Sequence, residues 1–350
     1  QQIRKTPIVV NDSLGFFTSR VFSTFLDEGA RLLVEGLDPV LIDAMGKQVG
    51  MPVGPLTIQD EVSQELTRKA AETHREMGVL GSKGDNSCNI EVCERLISEF
   101  GRGGRYHGGG YYEYGTDGSK QVWPTLYDLY FREDVQVSND DIKDRLLFRQ
   151  VIESLKCLQE GVLRSVADGN VGSLLGIGAP MWTGGFIQFV NTYGLQKFID
   201  RANALAEQYG ERFLPPAIVA SAIAAMIGST LFYLLGDTAV KLTSESVPVP
   251  QIIVLRGVFT MLLVTATAAA AGVLRYWRGM FTRPVLIRGG FDGATTLMFT
   301  FALANMRIAD ATAVINAAPI AGTLLAIAIL KERVDALRWT AILLGFVGVV

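Results

Sequence analysis

Histidine, the side chain best suited to moving protons near neutral pH, occurs twice. His74 lies in the polar stretch Lys69 to Glu76, and His107 lies in a Gly- and Tyr-rich run. Neither stands in a motif that supplies a Ser or Cys nucleophile or an orienting carboxylate, so both read as surface or structural groups. Cys88, Cys93 and Cys157 are too few and too irregular for a disulfide framework. Cys88 and Cys93 lack two further ligands at zinc-site spacing, so reduced thiols and no metal are expected. The run GRGGRYHGGGYYEYGTDGS lacks the Gly-Lys-Ser/Thr ending and the preceding strand of a phosphate-cradling loop. Gly176-Ile-Gly178 opens like a dinucleotide fingerprint, but Met181 stands where the third Gly belongs. What remains are charges inside apolar segments. Asp237, Arg256 and Asp292 are costly to bury in lipid, and such groups characteristically line solute or proton pathways. Asp237 and Lys241, four residues apart, can pair on one helix face.

The elements that carry these residues divide into two kinds. The whole chain has 350 residues, net charge −3 and mean hydropathy +0.28. Residues 1–216 hold 22 basic and 29 acidic side chains, whereas residues 217–350 hold 10 and 6. The second part has too little charge for a water-facing surface of its size, which excludes one uniform soluble globule. The 49% hydrophobic content excludes a disordered chain. The acidic first part carries no basic stripe, which argues against nucleic acid.

The first part contains a repeat. SRVFSTFLDEGARLLVEG from Ser19 aligns without a gap on DRLLFRQVIESLKCLQEG from Asp144. Arg20 falls on Arg145, Glu28 on Glu153, Leu33 on Leu158, Glu35 on Glu160 and Gly36 on Gly161. Phe148, Val151, Ile152, Leu155 and Leu158 recur at helical spacing, and Gly36 and Gly161 stand at C-cap positions. A Gly-Pro corner follows in each copy, VGMPVGP and GIGAPMWTGG, then a long amphipathic segment, Ile58 to Met77 and Gly185 to Tyr209. Two packed copies of an all-helical unit are expected.

The second part reads as membrane helices. Ala217–Gly236 and Ala311–Leu330 are each 20 residues without a charge, long enough for a bilayer core of about 30 Å. Further spans run over Ile252–Leu274, about Gly289–Met306, and from Trp339 onward. Arg275, Arg278, Arg283 and Arg288 flank one loop, and Lys331, Arg333 and Arg338 another. The positive-inside rule places both in the cytoplasm, together with the N-terminal side of the first span.

IVVNDSLGFFTSR, VGMPVGPLTIQDEVSQE and GGGYYEYGTDGSK, in this order over residues 1–216, resemble the C-terminal region of 3-hydroxyacyl-CoA dehydrogenases. The tandem copy is similar to the long form found in multifunctional fatty-acid-oxidation enzymes. The resemblance implies that the region forms a wall of an acyl-CoA cleft and much of the subunit contact. It also implies that a preceding Rossmann domain, absent from this sequence, holds NAD and the catalytic His–Glu pair. Ser19 occupies the family's active-site Asn position, and Leu14 replaces the usual Pro before Gly15-Phe16. Ser19 and Phe16 are the substrate-binding candidates; no catalytic set is complete, and residues 1–216 alone are expected to be inactive.

DTAVKL, PVPQIIVLRG and FALANMRIADATAVINAAPIAGTLLAIAILKERV resemble the first five-helix half of the drug/metabolite transporter superfamily. This implies a transport cavity, with Asp237, Arg256 and Asp292 as candidates. Small relatives that work as dimers keep a homodimer open. The expected architecture is therefore all-α: two pseudo-repeated soluble helical domains, residues 1–125 and 126–216, cytoplasmic, then a partial transmembrane bundle over residues 217–350 in an inner or plasma membrane. Three readings stay open: a natural fusion, two unrelated sequences joined near Ala217–Ser221, and a longer acyl-CoA-linked membrane protein. The two incomplete parts and the lack of a flexible linker after Leu214-Pro215-Pro216 favour the second.

Overall fold

The computed structural model describes residues 6–80, 85–244, 246–270, 282–307 and 310. They divide into two compact units, Gln1–Ile223 and Ala224–Val350. The fourth and fifth apolar spans fall outside the described residues.

The first unit is helical. It comprises α1 (Thr18–Val34), α2 (Pro39–Gln48), α3 (Pro55–Val62), α4 (Gln64–Glu76), α5 (Ser87–Phe100), α6 (Pro124–Tyr130), α7 (Asn139–Gln159), α8 (Val166–Gly172), α9 (Phe186–Tyr193) and α10 (Leu195–Tyr209). The strand content among the described residues is one antiparallel hairpin, β1 (Tyr112–Tyr114) and β2 (Lys120–Val122), in the Gly- and Tyr-rich run. Helix ends follow local chemistry. Ser138 caps α7 by accepting the amide of Asp141, and Asp140 and Asp141 complement the dipole there. Pro39 and Pro55 stand at helix starts, where a missing N–H costs nothing. Gly36 and Gly161 follow α1 and α7 at φ +111° and +73°, the left-handed turn that a Cβ disfavours.

The two long amphipathic segments are each broken in two. Ser63 (φ +82°) ends α3 and caps α4 by accepting the amide of Leu66, and Gly194 (φ +94°) separates α9 from α10. Apolar periodicity runs through both breaks, so it carries no trace of them.

The helices α1 and α7 pack through the core and run antiparallel, because the start of each meets the end of the other. Arg20 donates to Glu153 at 2.5 Å and to Glu160 at 2.8 and 3.1 Å. Arg145 donates to Glu28 at 2.7 Å and to Glu35 at 2.6 and 2.7 Å. Each arginine thus pairs with the two glutamates that correspond, at the same offset, to those paired by the other. On the same two helices Phe25, Leu32, Leu33, Leu146 and Ile152 are all buried in one core. Phe148 stacks on Phe198 at 4.9 Å and meets Phe189 and Tyr193 edge-on. Such a ring contributes about 1.5–3 kcal/mol by burial alone.

Asp43 of α2 caps α3 from outside its own helix, accepting the amides of Leu56 at 2.8 Å and Thr57 at 3.0 Å and the hydroxyl of Tyr112 at 2.7 Å. Gly54 leaves the space for this, since a Cβ there would overlap the Asp43 carboxylate and backbone. Gly54→Ala is expected to lower stability by about 1–3 kcal/mol through this overlap, measurable by thermal or denaturant unfolding.

The second unit contains the rest of α11 (Ala217–Thr243), α12 (Val249–Ala270) and α13 (Arg283–Asn305). A small core of Val240 and Ile252 is flanked by Val247 and Phe299. Among the described residues one helix, α12, with mean hydropathy 2.0, is long and apolar enough to cross a membrane.

Candidate functional site

In the first unit a cavity of about 380 Å³ opens between α1, α4 and α5. Ser19, Phe22, Ser23 and Leu26 line it from one stripe of α1, at the three- and four-residue spacing that puts side chains on one face. Leu66, Thr67, Ala70, Ala71 and His74 line it from α4, and Asn89 and Ile90 from α5. Most of its polar wall groups are engaged with protein. Ser23 donates to the Arg20 carbonyl at 2.9 Å, Thr67 accepts from Gln59 at 3.0 Å, and Asn89 is held by Gln59 and Cys93. The exposed Ser19 hydroxyl makes no hydrogen bond among the described residues, so it is available to a ligand.

Phe16, the other candidate, is 55% exposed and held at φ +49° between Gly15 and Phe17. It is not among the residues that line the cavity. His74, read from the sequence as a surface or structural group, shares the cavity with Ser19. Nothing in its neighbouring residues signals this, because the two meet only when α4 folds back on α1. His74 has no carboxylate partner among the described residues, so nothing fixes its tautomer for base chemistry.

The other local sequence motifs are structural. Burial pushes the Cys88 thiol up to about 12 and holds Cys93 higher still, which leaves both unreactive. No group of three metal-ligating side chains occurs among the described residues. Gly178 has φ +82°, and a side chain there would press on Pro52. The turn therefore packs against the corner between α2 and α3 rather than opening at a helix N-terminus.

In the second unit Lys241 does not pair with Asp237. Its ammonium donates to the carbonyls of Ala304 at 3.1 Å and Met306 at 3.0 Å, capping the end of α13. Free carbonyls at a helix C-terminus attract a cation more strongly than the sequence spacing of a single acid reveals. Asp237 is buried, with Oδ1 lacking a hydrogen-bond partner. Arg256 lines a cavity of about 730 Å³ between α12 and α13, together with Thr260, Thr296 and Thr300. Asp292 lies exposed, 3.8 Å from Arg288 on its own helix. Of the three candidates, the structure places only Arg256 among the lining residues of this cavity.

The two cavities fall in segments that match different families. Residues 15–114 match the 3-hydroxyacyl-CoA dehydrogenase, C-terminal domain. Residues 220–350 match the EamA-like transporter family. Within the dehydrogenase-type part, the fatty acid oxidation complex subunit alpha of Vibrio cholerae is 34% identical over 213 residues, and that of Idiomarina loihiensis 34% identical over 217. These alignments cover 60% and 61% of this chain and 29% and 30% of the relatives, so the chain spans under a third of their length. Among solved structures, the dehydrogenase part of multifunctional enzyme 1 from C. elegans is similar at 22% identity and a TM-score of 0.49, covering 63% of this chain and 50% of that one. All the residues that line the Ser19 cavity except Leu14 fall within residues 15–114, and all those that line the Arg256 cavity fall within residues 220–350.

Proposed function

We propose that residues 1–216 form the acyl-CoA-cleft and subunit-contact region of a β-oxidation 3-hydroxyacyl-CoA dehydrogenase, and that residues 217–350 form half of a small-solute transporter bundle in a membrane. The observation that carries the first assignment is the Ser19 cavity. It lies in the segment that matches the dehydrogenase domain, with a free hydroxyl at one end and satisfied polar groups along its walls. Ser19 and Phe16 contact substrate in this reading. A nicotinamide-binding domain outside this sequence supplies NAD and the proton-abstracting base.

The reading divides residues 1–216 into two copies, 1–125 and 126–216. The reciprocal pairing of Arg20 with Glu153 and Glu160, and of Arg145 with Glu28 and Glu35, supports a duplication. The second copy carries no equivalent site: Asp144, aligned with Ser19, is engaged by Arg201 at 2.6 Å. A homodimer and a cytoplasmic position for residues 1–216 belong to the same proposal.

The full chain in nanodiscs is expected to bind 3-hydroxyacyl-CoA and to form no NADH from it when supplied with NAD. Calorimetric titration and absorbance at the NADH band check the two halves of this statement. Binding indistinguishable from empty nanodiscs overturns the cleft assignment, and turnover overturns the inactivity.

A second reading, a metabolite exporter with a cytosolic helical domain, is favoured by the apolar exterior of the second unit. Phe259, Met261, Leu263, Phe291 and Met298 are all more than half exposed, as suits lipid rather than water. About five spans, with the start of α11 facing the cytoplasm and Asp237, Arg256 and Asp292 along the solute path, complete it. Proton-coupled uptake into vesicles that is lost in Arg256→Ala tests this reading.

A further inference from the structure

We infer that Lys120 is a site of covalent acylation, its amine taking the acyl group of a thioester while Thr57 and Asp43 draw off its proton. Lys120, Thr57, Asp43 and Tyr112, which make the site, do not line the Ser19 cavity, so the inference stands apart from the reading of that cavity.

The four residues meet where the start of β2 reaches the start of α3. Lys120 opens β2 and stands opposite Tyr114 in the hairpin. Its Nζ lies 3.6 Å from the centre of the Tyr112 ring and 3.9 Å from Oδ2 of Asp43, and it donates to the Thr57 hydroxyl. The Thr57 hydroxyl in turn donates to Oδ2 of Asp43. An amine, a hydroxyl and a carboxylate are thus joined in series, with the proton donor at one end and the base at the other. Asp43 also accepts from the Tyr112 hydroxyl and from the amides of Leu56 and Thr57, so the base is fixed in place. The Asp43 side chain is 8% exposed and that of Lys120 29%, which closes the base end to water and leaves the amine end open to a reagent.

Burial weakens the hold of Lys120 on its proton; the Asp43 charge opposes this and the nearby Lys47 adds to it, and the balance falls below the ordinary lysine range. In the reaction the ammonium proton passes to the Thr57 oxygen as the Thr57 proton passes to Asp43. The freed lone pair forms a bond to the thioester carbonyl carbon, the carbon–sulfur bond breaks, and the departing thiolate takes the second proton from the nitrogen. The products are an amide on Lys120 and a free thiol, and Asp43 returns its proton to water. The amide carries no charge. Asp43 then loses the one cation within ion-pair distance of it among the described residues, and the Tyr112 ring loses the charge above it.

The test incubates the full chain in nanodiscs with acetyl-CoA or with S-acetyl-N-acetylcysteamine, a thioester without the nucleotide. Peptide mass spectrometry follows acetylation of Lys120 and of Lys197, an exposed lysine of α10, in the same samples. Lys120 is expected to be acetylated about tenfold or more faster than Lys197 by both reagents. Thr57→Val, which keeps the shape and removes the hydroxyl, brings Lys120 down to the rate of Lys197, and Thr57→Ser, which keeps the hydroxyl, retains the difference. Equal rates at the two lysines of the wild type overturn the site, a result that needs no variant to fold. An unchanged Lys120 rate in Thr57→Val overturns the proton relay. A difference seen with acetyl-CoA alone places the selectivity in nucleotide binding and overturns activation of the amine by its neighbours.

Discussion

Glu28→Gln destabilises the first unit by about 3–5 kcal/mol, the expected cost of breaking a buried ion cluster from one side. Glu28 is fully buried and is the shared partner of three arginines. Arg145 lies at 2.7 Å, Arg212 at 2.8 and 3.0 Å, and the Nε of Arg149 at 3.7 Å. Arg145 keeps Glu35, but Arg149 has no other carboxylate within ion-pair distance among the described residues, and its guanidinium is almost wholly buried. Glutamine keeps the shape and removes the charge, so buried positive charges are left facing one another. For a unit of roughly 200 residues this corresponds to a melting temperature lower by about 10 °C or more, readable by circular dichroism.

The pH response has a definite sign. Burial pushes the Glu28 carboxyl up, but the Arg212 hydrogen bond and the charges of Arg145, Arg212 and Arg149 outweigh it and hold the group below the ordinary carboxylate range. A carboxyl lowered in the fold contributes stability that is complete above its unfolded value of about 4.3 and is lost as pH falls through the lower folded value. The wild-type melting temperature therefore falls in that acid window, and Glu28→Gln removes this contribution to the fall. Equal acid slopes in the two proteins would show that the cluster does not act this way.

Asp60→Ala is the second large effect. This buried carboxylate accepts the amides of Tyr111 at 2.8 Å and Tyr112 at 3.0 Å, the Tyr114 hydroxyl at 3.0 Å and the Gln64 amide at 2.6 Å. It is what folds the Gly- and Tyr-rich run onto α3. Alanine strands two buried amides at about 1–3 kcal/mol each. The expected outcome is a comparable loss of stability, with hydrogen exchange at Tyr111 and Tyr112 accelerated far more than in the middle of α7. Uniform acceleration across both places would mean global unfolding rather than release of the loop. The sign with pH is opposite to that of Glu28. Burial raises the Asp60 carboxyl despite the bonds from Gln64, Tyr111, Tyr112 and Tyr114, so its preference for the fold is fullest below the ordinary Asp value and is lost as pH rises through the higher folded one.

The sequence shows local features better than long-range ones. The helical stripe of α7, the glycines after α1 and α7 and the proline starts of α2 and α3 were legible because each is set by its own neighbours. The break at Ser63 was not, because positive φ at a serine is imposed by packing rather than by residue type. Alignment at a constant offset brought Arg20, Glu28 and Glu35 into correspondence with Arg145, Glu153 and Glu160, yet gave no sign that each arginine bonds the other helix. Ser19 was found through family resemblance. His74, Asn89 and Leu80 were missed because only the return of α4 and α5 onto α1 makes them its neighbours. The spacing of Asp237 and Lys241 allows a pair on one helix face, but the carbonyls that Lys241 binds lie more than sixty residues on, where local spacing cannot show them.

The crossed pairing of α1 and α7 also sets a clock on synthesis. Arg20 cannot meet Glu153 until more than a hundred further residues have left the ribosome. At roughly 5–20 residues per second that is an interval on the order of ten seconds. During it α1 is already made, with Arg20, Glu28 and an apolar stripe all lacking their counterparts. A nascent chain halted between the two helices thus holds a charged, apolar-striped helix with nothing to bury it, the condition that exposes a chain to aggregation.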